Sequence, residues 1–299
     1  MSELTRKAAR HWRWARQDGL STLIEEDDLR PLSRTSRAWR KWRWRRSHGV
    51  DGGTAMPVWL VGVQRSGTNM VVRGLEESPE VEVHNENDGA AFEHFRLRGD
   101  AAVQRIVLSS RHRYVLFKPL CDSHRVDELL ALDTPTPGRA IWAYRGVDAR
   151  VRSAIAKFGD ANLRVLTESA AGRGGDLWQA QRLSPDSMQF IRSFDWGSTS
   201  PASAAALFWY VRNRLFFELG LDRRDDVLLS SYDALVADPD AGTHALASFL
   251  GMAWHAGLAR HIERRDARTT APVDLDPRVR RLCDGLESRL AVAVAAQRS

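Results

Sequence analysis

The chain has 299 residues, 43% of them apolar, and carries 44 Lys and Arg against 38 Asp and Glu, a formal net charge of +6. This suits one large α/β domain or a domain with extensions, and the charge favours anionic partners, although the bias is almost wholly arginine, as a GC-rich genome also produces (Lys7, Lys41, Lys118 and Lys157 are the lysines). Two cysteines, Cys121 and Cys283, make neither a disulfide scaffold nor a Cys/His metal spacing, and no apolar run approaches the ~18–20 residues that span a bilayer.

Residues 1–55 differ from the rest and are expected to form a basic, Trp/Arg-rich helical extension. They hold His-Trp-Arg-Trp-Ala-Arg at 11–16, an acidic patch at 25–28, and Arg-Ala-Trp-Arg-Lys-Trp-Arg-Trp-Arg-Arg at 37–46. Gly49, Gly52 and Gly53 read as a linker. Aromatics interleaved with Arg suit an anionic membrane interface or nucleic acid. They equally suit an arm whose tryptophans pack while its arginines stay solvated. There is charge but no apolar core of a signal peptide here, so a soluble cytoplasmic protein, or one peripheral to a membrane, is expected.

From residue 56 to 299 the pattern predicts a single α/β domain. Strands are expected at 58–63, 81–84, 114–117, 139–144 and 227–230. Helices are expected at 70–77, 90–98, 101–110, 124–132, 149–158, 202–219, 243–250 and 278–295. The stretch 160–200 is Gly- and Ser-rich with weak periodicity. Strands alternating with helices imply a three-layer fold: a mostly parallel sheet with helices on both faces. Ligands in such sheets sit beyond the carboxyl ends of the strands. Those ends carry Gln64-Arg65-Ser66-Gly67-Thr68, Asn85-Glu86-Asn87, Lys118, Arg145 and Ser231-Tyr232-Asp233, a set rich in anion-binding groups.

The first of these is the most informative. An apolar strand runs into Gly62-Val63-Gln64-Arg65-Ser66-Gly67-Thr68-Asn69 and then a helix, the layout of a P-loop phosphate cradle, in which backbone N–H groups and a helix N-terminus converge on an anion. The glycine spacing matches an ATP- or GTP-binding loop, but Thr68 and Asn69 stand where that loop needs Lys and then Ser or Thr. The lysine for the β- and γ-phosphates and the hydroxyl for magnesium are both missing, so an anion without a bound metal is expected. After the fourth strand, Arg145 is followed eight positions later by Ser153.

Together these segments resemble the sulfotransferases that use 3′-phosphoadenosine 5′-phosphosulfate (PAPS). Gln64-Arg65-Ser66-Gly67-Thr68-Asn69 is similar to that family's P-[KR]-S-G-T-[TS] loop, with Gln and Asn at its two ends. Arg145 and Ser153 stand at the spacing of its second motif. Val227 to Pro239, with Tyr232, Leu235 and Pro239, followed by Phe249-Leu250-Gly251, looks like its late strand with Y-[ED]-x-L-x-x-x-P and F-L-G. The resemblance covers about residues 56–252 and implies the P-loop type of three-layer α/β fold. It implies that Ser66, Gly67, Thr68 and Asn69 hold the 5′-phosphosulfate, that Arg65 stands beside the bridging oxygen, and that Arg145 and Ser153 hold the 3′-phosphate. It also brings Tyr232 near the nucleotide. PAPS is the implied co-substrate, with no metal. Arg65 and Lys118 are the cations expected near the leaving group. Family members use a His or a Glu as base, and Glu86 is the expected one here, with His84, Glu93, His94 and His124 as alternatives.

The expected activity is sulfuryl transfer to a hydroxyl or amine of a small-molecule, carbohydrate or lipid-linked acceptor, with no nucleic-acid partner. The competing readings are a P-loop kinase or NTPase, and a non-catalytic module that binds polyanions or membranes. Arg96, Arg98, Arg105, Arg111 and Arg113 read either as solvated faces or as a surface for an acidic acceptor.

Overall fold

In strand β1 (Met56–Gly62), side chains alternate between two apolar clusters: Val58 and Leu60 enter one, Trp59 and Val61 the other. A strand buried on both faces is the signature of a parallel sheet covered by helices on each side. The computed structural model describes residues 31–175, 177–266 and 271–297, and the chain divides into two units after Gly49. In the first, Pro31–His48 forms helix α1. The first Trp/Arg segment and the acidic patch lie outside the described residues.

In the second unit, β1 is joined by β2 (Val81–His84), β5 (Tyr114–Phe117), β6 (Arg139–Tyr144) and β7 (Val227–Ser231). The sheet order is β2-β5-β1-β6-β7, parallel throughout. Helices α2 (Thr68–Glu76), α9 (Tyr232–Ala237) and α10 (Pro239–Leu250) pack on one face through Val71, Leu75, Leu235 and Leu246. Helices α3 (Asp100–Ser109), α5 (Val147–Phe158), α8 (Pro201–Glu218) and α11 (Pro277–Ala296) cover the other through Val107, Val151, Trp209 and Cys283. The fold is therefore a three-layer α/β sandwich. Helix α8 is buried on nearly all sides, which explains its apolar run interrupted by Arg212 and Asn213. Among the described residues, no helix is long and apolar enough to cross a membrane. Cys121 and Cys283 are buried and unbridged, and burial pushes the Cys121 thiol up to about 12 and raises that of Cys283 as well.

The expected strands all form, and the helices expected at 70–77, 101–110, 149–158, 202–219 and 278–295 begin and end within two residues of their expected bounds. Four segments differ. The helix expected at 243–250 begins four residues earlier, as α10 from Pro239. Residues 90–98 are not helical but carry a hairpin, β3 (Phe92–Glu93) with β4 (Arg96–Leu97). Asp122 holds it by accepting from Arg96 Nε at 2.6 Å and from the Leu97 amide at 2.8 Å. The expected helix at 124–132 is a 3₁₀ turn (Leu120–Arg125) followed by the short α4 (Val126–Leu130). The weakly patterned 160–200 stretch contains α6 (Ala161–Ala170) and α7 (Pro185–Arg192).

A polar chain fixes the end of β2. Ser110 Oγ donates to Glu82 at 2.6 Å, and His84 lies 3.3 Å from Glu82 and 2.6 Å from Asp88. Burial opposes the Glu82 charge, but its contacts with His84 and Ser110 prevail and hold its carboxyl at about 2. Burial also opposes the His84 imidazolium, and Glu82 and Asp88 prevail there, raising it above the ordinary histidine value of 6.5. A depressed carboxyl contributes stability above its unfolded value, here 4.5, and loses it as pH falls toward about 2. A raised imidazole contributes fully below 6.5 and loses its contribution as pH climbs through its folded value. The cluster is thus expected to stabilise most between 4.5 and 6.5. Melting curves from about pH 3 to about pH 8 check this: Glu82→Gln flattens both limbs, and an unchanged profile contradicts it.

Candidate functional site

The sheet order sets the candidate residues in a row along the carboxyl edge. Glu86 follows β2, Lys118 follows β5, the 63–67 loop follows β1, Arg145 follows β6 and Tyr232 follows β7. Neighbouring strands stand ~4.8 Å apart, so Lys118 and Arg145 flank the loop one strand away on either side.

The loop turns through three left-handed residues, Gly62 (φ 129°), Arg65 (φ 72°) and Gly67 (φ 82°). Gly67 caps α2 without any side-chain hydrogen bond, so the first-turn amides that every helix leaves unpaired have no side-chain acceptor at the cap. Ser66 Oγ is buried with no hydrogen-bond partner among the described residues. Ser123 ties the loop's root to the 3₁₀ turn: its hydroxyl accepts from the Gly62 amide at 3.0 Å and donates to the Gly62 carbonyl at 3.0 Å.

On the β6 side, the two separated motifs meet. Arg65 Nε donates to Ser153 Oγ at 2.9 Å across 88 residues of chain. The Arg145 guanidinium lies over the Tyr232 ring at 4.3 Å from its centre. That ring in turn covers Gly67 so closely that a Cβ there would stand 2.3 Å from it. Arg145 Nε is buried and unpartnered among the described residues. Its backbone is held by Trp209, whose indole donates to the Arg145 carbonyl at 2.8 Å. Asp233 accepts from the Gly146 amide at 2.7 Å, and Glu287 lies 3.3 Å from the Val147 amide. Burial raises both carboxyls, with the Gly146 amide and Arg145 opposing the shift at Asp233.

On the β5 side, Lys118 Nζ donates to Asn69 Oδ1 at 2.7 Å and lies 3.5 Å from Glu86. The lysine occupies the Asn69 carbonyl, so what this amide has left to offer is its NH₂ donor. Burial raises the Glu86 carboxyl above its ordinary value, against the pull of Lys118. A raised carboxyl beside a held ammonium is a chemically competent proton acceptor.

The alternative bases are placed differently. Glu93 and His94 are exposed on the hairpin, with His94 at its left-handed tip (φ 49°). His84 is clamped between Glu82 and Asp88. His124 is buried, and burial with Arg212, Arg96, Arg125 and Arg182 around it lowers it to about 3, so it stays neutral and weakly basic.

Three supporting residues went unnoticed in the sequence: Trp209, Asp122 and Arg150. Arg150 is fully buried in α5, donates to the loop carbonyl of Gln64 at 3.3 Å and to the Ala205 carbonyl at 2.8 Å, and lies over Phe208. Burial and the nearby Arg65 lower it to about 9.

No protein-family model matches the chain, and no curated protein matches it. It is similar to solved sulfotransferase structures. The sulfotransferase domain of a Synechococcus olefin synthase is 14% identical, with 80% of this chain and 98% of that one covered and a TM-score of 0.45. The sulfotransferase domain of the curacin biosynthetic pathway is 13% identical over 78% and 98%, with a TM-score of 0.47. A mouse sulfotransferase complexed with PAP is 14% identical over 81% and 87%, with a TM-score of 0.38.

Proposed function

We propose that this chain is a PAPS-dependent sulfotransferase of the P-loop type. The observation that carries the proposal is the convergence of the two motifs: Arg65 rests on Ser153, and Tyr232 joins Arg145 to Gly67. One doubly phosphorylated adenosine needs such a pair of anion pockets, one of backbone amides and one of guanidinium, with no divalent ion between them. The orphaned Ser66 hydroxyl and Arg145 Nε fit such a ligand.

In this account Ser66, Gly67, Thr68 and Asn69 hold the 5′-phosphosulfate, Arg145 and Ser153 hold the 3′-phosphate, and Arg65 spans the two. PAPS, when bound, supplies a sulfuryl group on a phosphate leaving group. The chain's task is then positioning and electrostatics, as in phosphoryl transfer. Lys118, steered by Asn69, offers a compact cation to charge that develops on the leaving side. Glu86 receives the proton of the acceptor hydroxyl or amine. Arg150 holds the Gln64 carbonyl and adds positive charge behind the loop. The acceptor, whether a small molecule, a carbohydrate or a lipid-linked group, approaches from the Glu86 side.

Thermal shift tests this. Adenosine 3′,5′-bisphosphate in the presence of a chelator, at about 100 times its Kd, is expected to add about 2.7 kcal/mol of stability. Stabilisation by ATP–magnesium alone supports a kinase or NTPase, and stabilisation by heparin alone supports a polyanion-binding module. Either result overturns the proposal.

A further inference from the structure

Helix α1 has 18 residues, PLSRTSRAWRKWRWRRSH, with seven Lys or Arg and no Asp or Glu. Its two faces differ. Arg37 is buried and Lys41 and Trp44 are half-buried, at i, i+4 and i+7 along one side. The opposite side presents Trp39 and Trp42, 57% and 46% exposed, together with exposed Arg43 and Arg46. These four make two i, i+4 pairs: Arg43 lies over the Trp39 ring at 5.6 Å and Arg46 over the Trp42 ring at 4.9 Å. A packing arm would turn its indoles inward, and only Trp44 follows that pattern.

We infer that the outward face of α1 docks this protein on an anionic lipid surface. Indoles favour the boundary between acyl chains and headgroups, where the ring is in apolar surroundings and its N–H is wet. A guanidinium beside each ring meets lipid phosphate at the same depth, and each basic residue near such a surface adds attraction. Single-stranded nucleic acid is the rival polyanion, but it binds by stacking bases on open aromatic faces. Here each indole has one face covered by its own arginine.

Co-sedimentation of the full chain with lipid vesicles tests the inference, alongside the blue shift of tryptophan emission. The vesicles are phosphatidylcholine alone, or phosphatidylcholine with roughly 30% phosphatidylglycerol at about 0.1 M salt. Wild type is expected to partition at least about tenfold more strongly onto the anionic vesicles. Trp39→Ala/Trp42→Ala and, separately, Arg43→Ala/Arg46→Ala are each expected to lose about tenfold of that partition. All four side chains are exposed, so melting temperature and bisphosphate binding should stay at wild-type values, which separates this test from that of the proposed activity. Equal partition onto both vesicle types, full retention by either double variant, or tighter binding of a single-stranded oligonucleotide through the same four residues would overturn it.

Discussion

Glu86→Gln is expected to lower kcat by about 10²–10⁴ while leaving adenosine 3′,5′-bisphosphate affinity unchanged. Glu86 stands 3.5 Å from Lys118, on the flank of the loop opposite Arg145 and Ser153. Glutamine keeps the size of the side chain and an oxygen for Lys118, so packing and the ammonium's position should survive, and what disappears is the group proposed to take the acceptor's proton. The pH profile adds a second reading. Burial raises the Glu86 carboxyl above its ordinary value of 4.5, and the base works only when ionised. The acid limb of kcat in the wild type should therefore lie above 4.5 and should vanish from the residual activity of the variant. Turnover of PAPS with an acceptor found by screening hydroxyl and amine compounds provides the assay. Near-full activity in Glu86→Gln would move the proton acceptor elsewhere.

The second large effect is structural. Gly62→Ala is expected to destabilise the protein by about 3 kcal/mol or more, through backbone strain and a steric clash acting together. Gly62 has a φ of 129°, and a Cβ there would stand 2.2 Å from the carbonyl oxygen of Ala143 on the neighbouring strand. That oxygen belongs to the backbone of β6 and cannot swing aside, so β1 and β6 must part directly beneath the loop. The contacts of Ser123 with the Gly62 amide and carbonyl, both at 3.0 Å, would be strained as well. For a chain of this size the loss corresponds to a fall in Tm of roughly 5 °C. Gly89→Ala, where nothing lies within 4 Å of the added carbon, serves as the control and should melt near wild type. A Gly62→Ala protein that melts with the control would contradict the close approach of the two strands.

Strand ends were the legible part of this fold. Four of the five strands are short, mainly apolar runs and β2 alternates as Val-Glu-Val-His, each stopped by polar or glycine residues, so Glu86, Lys118, the loop, Arg145 and Tyr232 could be placed on one edge without coordinates. Their order along that edge could not, because it depends on which strands pair, and parallel partners are distant in sequence. The hairpin at 92–97 misleads for a related reason. Ala, Phe, Glu, Leu and Arg favour a helix locally, but Asp122, some 25 residues on, holds Arg96 and the Leu97 amide. The turn also lacks the usual signal, since His94 and Phe95 take left-handed conformations (φ 49° and 65°) where Asn and Gly are expected. Helix α7 did carry its signal: Ser184 caps it by accepting from the Ser187 amide at 3.2 Å, and Pro185 opens it. Arg150 is hidden for another reason. Arg150 is buried among carbonyl groups, with no carboxylate bonded to it among the described residues, and in sequence it looks like any surface arginine on a helix.

The two-pocket claim is tested most directly by titrating adenosine 3′,5′-bisphosphate and adenosine 5′-phosphate, in a chelator, into wild type and into Arg145→Ala. Loss of a charge-assisted contact to the 3′-phosphate is worth about 1.5–3 kcal/mol, roughly tenfold to more than a hundredfold in Kd. Wild type is expected to prefer the bisphosphate by at least about tenfold, and Arg145→Ala to bind the two ligands almost equally. A wild type indifferent to the 3′-phosphate, or an Arg145→Ala protein that keeps the full preference, would contradict the account.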